Sequence, residues 1–395
     1  MNNTMYDIET YLNSLPEDTE EINVSKRDIN YLDVTRFKNL KILDCKCNKL
    51  TFLHLNKNLR TLDCSDNHLT FLHLNENLQT LYCYNNQLTS LHLFEELQTL
   101  YCYNNQLTSL QLNKKLQELY CSNNQLISLH SNENLKTLSC YNNKLTSLSL
   151  NEKLEDLSCS GNQLISLQLN ENLEKLYCYC NHLISLSELN EKLRIIYCSD
   201  NQLSSLPPLN EQLECLSCYS NQLTYLQELN ENLQELSCGN NRLTSLPPLN
   251  KKLKTLYCSD NQLSSLPPLN EQLECLSCYS NQLTSLYLNE NLQLLDCNNN
   301  KLTSLHLNEK LEIINYRNNP IFEIINSEDR QIINQKLKIL NKFRYLYYSL
   351  KFKKRLRDIL WVKIREPKIR QRYSHDYLVA NLHEDMDLDI FLNNW

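Results

Sequence analysis

From Leu40 to Ile321 the apolar and polar positions keep one phase, L-x-x-L-x-C-x-x-N-x-L, written fifteen times in units of 19 or 20 residues. Within one unit Leu81 and Cys83 stand two apart, and Tyr82 and Tyr84 take the alternate positions. In an extended strand that spacing sends leucine and cysteine to one face and the tyrosines to the other. Strands stacked at about 4.8 Å turn each apolar position into a column that no single unit could bury alone. The second half of the unit, such as Leu88, Leu91 and Leu93, adds inward leucines but is too short for a helix of several turns. Pro-Pro at residues 207–208, 247–248 and 267–268 predicts extended, polyproline-like segments there, because proline fixes φ and donates no hydrogen bond.

An asparagine column runs from Asn48 to Asn319 without missing a unit. A buried amide at the corner after each strand is expected to satisfy backbone groups that the turning chain leaves unpaired. Residues 197–224 recur without change at 257–284, so several units were copied as a block. A chain tolerates such growth where each unit touches only its neighbours.

These repeats resemble the leucine-rich repeat family, over roughly two thirds of the chain. The resemblance implies a solenoid with a parallel β-strand ladder on its concave face and extended or polyproline-like convex segments. Residues 206–226 are also similar to the short repeats of bacterial effector proteins. Some of those carry a ubiquitin-ligase domain with a cysteine nucleophile, whereas this chain has no cysteine after Cys297. It also lacks H-E-x-x-H, a Gly-rich phosphate loop and G-x-S-x-G, so no enzyme, cofactor or metal site is expected.

Three regions follow. Residues 1–39 form an N-terminal cap and partial repeat, in which Ile22, Val24, Ile29, Leu32 and Val34 imitate the repeat columns behind a helix-like stretch from Met5 to Leu15. Residues 40–321 are the solenoid. Residues 322–395 form a basic helical C-terminal module with an acidic end. Its helix is expected to start near Ser327, Glu328 and Asp329 and to carry the apolar stripe Ile333, Leu337, Leu340, Phe343, Tyr347 and Leu350, which would cover the last coil or accept a partner helix.

Net charge is −7, yet Lys336 to Arg372 holds fourteen lysines and arginines against Asp358 and Glu366, a local excess of +12 that leaves −19 elsewhere. The basic patch Lys351, Lys353, Lys354, Arg355 and Arg357 suits a solvated helix face, and equally phosphate, an anionic lipid surface or the acidic solenoid of another copy. From Leu360 to Trp395 the chain resembles a terminal segment of uncharacterised proteins of amoeba-infecting giant DNA viruses. Trp361, Pro367-Lys368-Ile369, Tyr373, Tyr377-Leu378 and the closing Asp389 to Trp395 carry the likeness, and Asp376 stands where those proteins usually have proline. It implies a viral protein made in the host cytoplasm. A lone alanine, Ala380, two glycines and abundant Asn, Lys, Ile and Tyr match translation of an AT-rich genome.

Fourteen of the eighteen cysteines fill the core column from Cys45 to Cys297, where they substitute for leucine as free thiols. Cys47, Cys180, Cys215 and Cys275 lie outside it. Cys215 and Cys218 form C-x-x-C, as do Cys275 and Cys278, but an offset of three on a strand points the sulfurs to opposite faces, against a zinc reading. His54, His73 and His92 recur at one convex position, as polar filler or as a ladder able to catch a metal ion. Residues 1–15 show no signal peptide, and no stretch is long and apolar enough to span a membrane.

The candidate binding face is the outward pair of strand columns. One carries Tyr82, Tyr101, Tyr120, Tyr177, Tyr197 and Tyr257, the next Tyr84, Tyr103, Tyr141, Tyr179, Tyr219 and Tyr279, interspersed with serine, asparagine and aspartate. This alphabet supplies large amphipathic contact area with few rotors, as antibody paratopes do, and predicts a non-enzymatic protein-interaction scaffold for a host or viral protein. The same rings could instead serve only to stack along the ladder. Few cations accompany them, which disfavours nucleic acid on this face and leaves nucleic-acid or anionic-surface binding to the basic module. The third function class is a substrate-recognition adaptor, for which the first 38 residues are short as a recruiting domain.

Overall fold

The computed structural model describes residues 3–130, 132–327, 329–372 and 374, in two compact units, Met1–Ile324 and Ile325–Trp395. Tyr373, Tyr377, the acidic run Glu384 to Asp389 and the closing segment to Trp395 lie outside the described residues.

In the first unit, among the described residues, sixteen strands of three residues form one parallel sheet in chain order, from Glu21–Asn23 to Ile313–Asn315. Each pairs in register with the next coil, for example Leu81 with Leu100 and Leu100 with Leu119. The middle residue of nearly every strand is buried and its neighbours are half-exposed, so the alternation read from the sequence holds coil after coil. Two further strands, Tyr31–Asp33 and Phe52–His54, pair with each other in the second half of the first coils. Beyond them the return segments are extended and carry no helix among the described residues before Pro320. The strand and corner leucine columns and all fourteen column cysteines are buried, whereas in the return segment Leu93, expected to point inward, and Leu226, Leu246 and Leu266 are half-buried, because there the extended chain runs along the surface.

Asparagine makes the corner. Asn143 donates from Nδ2 to the carbonyls of Cys140 (3.0 Å) and Tyr141 (3.4 Å) in its own coil and of Cys121 (3.1 Å) in the coil before. Its Oδ1 accepts the N–H of Leu126, 3.0 Å away in that same preceding coil. One carboxamide thus satisfies buried backbone groups of two coils. The pattern repeats from Asn48, which takes the Val24 carbonyl in place of a cysteine's, to Asn319. Residues 22–34 are therefore a true coil, capped by helix α1 (Asn3–Ser14).

A second asparagine column stands at the other corner. Asn132 donates to the carbonyls of Asn113 (2.8 Å) and Leu116 (3.0 Å), and the arrangement recurs at Asn190 and Asn250. Phe94 replaces asparagine in this column. The residue before each corner asparagine of the first column has positive φ, between 47° and 62° from Cys47 to Asn318. Asparagine and aspartate tolerate that conformation, and Gly161 adopts it without strain. Cys47, Cys180, Ser220 and Ser280 occupy it at a cost. Where asparagines follow one another they form a further ladder, Asn104 Nδ2 to Asn85 Oδ1 at 2.6 Å and Asn142 to Asn123 at 2.8 Å.

The solenoid ends at Tyr316, buried in the cysteine column's place against the Phe322 ring at 5.2 Å, and Ile321 N–H takes the Leu302 carbonyl as helix α2 (Pro320–Ile325) begins.

In the second unit helix α3 (Arg330–Leu360) is capped by Asp329, whose carboxylate accepts the N–H groups of Gln331 and Ile332, while Ser327 Oγ accepts the N–H of Asp329. The stripe expected on this helix is buried at Ile333 and Leu337 alone; Phe343, Tyr347 and Leu350 are 68%, 59% and 59% exposed. A π-helical turn, Trp361–Arg365, precedes helix α4 (Glu366–Arg372) and lets the helix pass Pro367, which has no N–H to give. Among the described residues no helix is long and apolar enough to cross a membrane.

Replacing Asn143 by alanine leaves the buried Leu126 N–H without an acceptor and is expected to cost about 3 kcal/mol. Cys180→Asn, which relieves a left-handed cysteine, should add about 1 kcal/mol. Urea midpoints of the two variants should therefore move in opposite directions; equal or reversed shifts would contradict the roles assigned to the two positions.

Candidate protein-interaction face

Tyrosines of the two outward columns stand on the strand face because their positions alternate with buried leucine and cysteine. Tyr82, Tyr101 and Tyr120 form one rail, with ring centroids 5.0 Å and then 4.2 Å apart. Tyr84 and Tyr103 form a second beside it, stacked at 4.5 Å with planes 7° apart. Five rings are thus gathered on three adjacent coils. Tyr141 follows two coils further on in the outer column, half-exposed. Tyr177 and Tyr197 form a separate stacked pair at 5.2 Å, next to Tyr179, which is 42% exposed. Tyr219, Tyr257 and Tyr279 lie in later coils, and the ring of Tyr219 lies over Gly239, where an added Cβ would come within 3.0 Å of Cδ2. Serines in the same columns link neighbouring coils, Ser122 to Ser139 at 2.9 Å and Ser199 to Ser217 at 2.8 Å.

The first strand position shares this face, a column the outward pair had left out. It reads Thr61, Thr80, Thr99, Glu118, Thr137, Asp156 and Lys175 in successive coils, then Cys215 and Cys275 further on. Its signal was available, since it stands two before the tyrosine column and must point the same way. Cys215 shares a hydrogen bond with Tyr197 (Sγ to Oη 3.5 Å), and Cys275 lies 3.8 Å from the Tyr257 hydroxyl. These contacts, with burial, hold the Tyr197 phenol well above its ordinary range and push Tyr257 up to about 12. Tyr101 is raised too, by burial and then by the neighbouring Tyr120.

Cys218 and Cys278, three residues on, are fully buried, so each C-x-x-C pair is split between the strand face and the core. All eighteen cysteines are free thiols. Burial raises every thiol of the column, to about 12 at Cys102, Cys159, Cys198 and Cys258. His54 meets Phe52, Tyr31 and Asp33, His73 meets Phe71 and His92 meets Phe94, so each histidine packs on an aromatic ring of its own coil. Among the described residues no group of three His, Cys, Asp or Glu side chains could hold a metal ion. Lys351, Lys353, Lys354, Arg355 and Arg357 are exposed on α3 in the second unit.

The profile of the family described as leucine rich repeats (2 copies) matches residues 231–271. The fold is a leucine-rich repeat solenoid. YopM from Yersinia enterocolitica WA-314 is similar over 80% of this chain and 82% of its own, at 29% identity and a TM-score of 0.69. YopM of Yersinia pestis, a leucine-rich effector protein, is similar over 75% of this chain and 88% of its own, also at 29% identity and 0.69. The functional domain of InlJ from Listeria monocytogenes, which includes a cysteine ladder, matches 76% of this chain and 68% of its own at 28% identity and 0.63. No curated protein matches the chain in sequence.

The column thiols make stability depend on alkali. Below about pH 8.5 folded and unfolded thiols both hold their protons, and stability is full. Above it the unfolded chain loses protons that the column keeps, so each thiol in coils that open together removes about 1.4 kcal/mol per pH unit, up to its folded value. A cooperative alkaline unfolding between about pH 9 and about pH 10.5 is expected by circular dichroism. At neutral pH, mass mapping after alkylation of the native protein should find label on Cys47, Cys180, Cys215 and Cys275, with the column reached only in denaturant. Native labelling of Cys102 or Cys140 would refute the sealed column.

Proposed function

We propose that this protein is a non-enzymatic scaffold that binds another protein through the strand face of its solenoid, with the rings of Tyr82, Tyr84, Tyr101, Tyr103 and Tyr120 as the anchor. The leucine-rich repeat fold is a common protein-interaction scaffold. The observation that carries the reading is the pair of tyrosine rails: five half-buried rings already ordered by stacking, so that a partner meets aromatic surface whose rotamer freedom is largely spent before binding. Serines, threonines and the tyrosine hydroxyls around them supply adaptable hydrogen bonds. Stacking and binding are compatible roles, since the rail orders the edges that remain exposed. Tyr141, Tyr177, Tyr179, Tyr197, Tyr219, Tyr257 and Tyr279 extend the same face along later coils. Likeness to YopM, a leucine-rich effector protein, supports an effector role. The thiol column suits a reducing compartment, and with the likeness of residues 360–395 to segments of giant-virus proteins it favours the host cytoplasm as the site of action.

Truncating Tyr82, Tyr84, Tyr101 and Tyr103 to alanine should weaken capture of the partner by at least about 2 kcal/mol, roughly thirtyfold, while the coils beneath stay folded. The check is affinity purification from infected-cell lysate with quantitative mass spectrometry, beside thermal unfolding of the variant. Undiminished recovery of every partner by a folded variant would sink the reading.

A further inference from the structure

Helix α3 presents cations and bare aromatic rings together, the two side-chain types that an unpaired nucleic-acid strand engages. Tyr345, Phe352, Tyr347 and Tyr348 are 77%, 64%, 59% and 53% exposed. The Lys351 ammonium lies over the Tyr347 ring, 5.8 Å from its centroid, and Lys353, Lys354, Arg355 and Arg357 follow within two turns, all exposed. Residues 336–372 carry the +12 excess counted above.

How these groups are distributed decides what they fit. At about 100° per residue, Lys351, Lys353, Lys354, Arg355 and Arg357 spread over about 200° of the helix circumference; Tyr345, Tyr348 and Phe352 fall in the sector they leave free, while Leu346, Tyr347 and Leu350 lie among the cations, so apolar side chains stand on both faces. A helix that lies in a membrane surface needs its apolar side chains on one face and its cations on the other. A helix that pairs with another buries a seam and keeps the remaining positions polar, yet Tyr345, Tyr348 and Phe352, off the apolar stripe, are as bare as Tyr347 and Leu350 on it. An unpaired strand imposes neither condition. It wraps, giving phosphates to cations and base faces to rings in turn. A duplex offers phosphates but keeps its bases stacked away from the tyrosines.

We propose that α3 binds single-stranded nucleic acid, its phosphates on Lys351, Lys353, Lys354, Arg355 and Arg357 and its bases stacked on Tyr345, Tyr347, Tyr348 and Phe352. The site belongs to the second unit and the tyrosine rails to the first, and its success or failure leaves the protein-binding reading untouched.

The test uses the full chain and fluorescent oligonucleotides of about 30 nucleotides, as single-stranded RNA, single-stranded DNA and duplex, followed by anisotropy from about 50 to about 200 mM salt. Single strands are expected to bind at least about tenfold more tightly than duplex, with RNA and DNA compared to identify the natural source. Substituting Tyr345, Tyr347, Tyr348 and Phe352 by leucine keeps helix propensity and should weaken single-strand binding about tenfold or more with an unchanged salt slope. Glutamine at the five cations should flatten the slope of log K against log salt by up to about 3. Circular dichroism establishes that each variant keeps its helix. Equal binding of duplex and single strand by both wild type and the leucine variant would overturn the proposal. So would absence of binding at low salt, or binding to phosphatidylserine vesicles or to a second copy of the chain without binding to oligonucleotides.

Discussion

Coil is fastened to coil by a carboxamide. Backbone ladders of three residues per strand are too short to fix a register by themselves, and what completes them is the asparagine that follows, donating into two coils and accepting from one. Shifting a coil by one residue would orphan these groups together, so the amide sets the phase of every other column: leucine inward, cysteine inward, tyrosine outward. It also explains how units of 19 and 20 residues coexist. Leu126 reaches the next coil's asparagine 17 residues on and Leu183 reaches its own 18 on, both at 3.0 Å. The extra residue is absorbed in the extended return segment, where no strand register depends on it.

Much of this was legible in the sequence. Columns of leucine, cysteine and corner asparagine follow from a period of two inside a period near twenty, and burial agrees with them from Leu43 to Leu311. The second asparagine column, Asn113, Asn132 and Asn151 among its members, is just as periodic, but its role depends on which carbonyls the return segment brings within reach of Nδ2, and a letter pattern does not say that. The left-handed position is similar: asparagine, aspartate, serine, cysteine and glycine alternate there, and the common factor is φ rather than chemistry. On the candidate face, the outward direction of the tyrosines was readable from alternation, whereas the gathering of five of them into two rails needed ring positions. On α3 the stripe was correctly spaced, yet spacing cannot tell a covered stripe from a bare one, and only Ile333 and Leu337 are covered.

Cysteine in the core column does the work of a leucine with less volume, which suits the narrow space behind the strand where carbonyls of two coils converge on the amide. Protonated by burial and out of reach of solvent, these thiols have neither the ionisation nor the access that reactivity requires. The four cysteines outside the column sit at two kinds of place, the left-handed corner and the strand face, and neither belongs to the core. The likeness to a bacterial domain with a cysteine ladder shows that the device is at home in this fold.

The two identical segments, residues 197–224 and 257–284, also fold alike. Tyr197 meets Cys215 as Tyr257 meets Cys275, and Ser199 meets Ser217 at 2.8 Å as Ser259 meets Ser277 at 2.9 Å. Because the match spans more than one full coil, a recombination between them would remove or insert three coils without creating a new junction anywhere in the chain. Every coil interface in the shortened or lengthened protein would be one that already exists. The reach of the strand face is therefore adjustable in steps by the replication of its gene, and selection can fit the ruler to its object while the fold stays indifferent to the count.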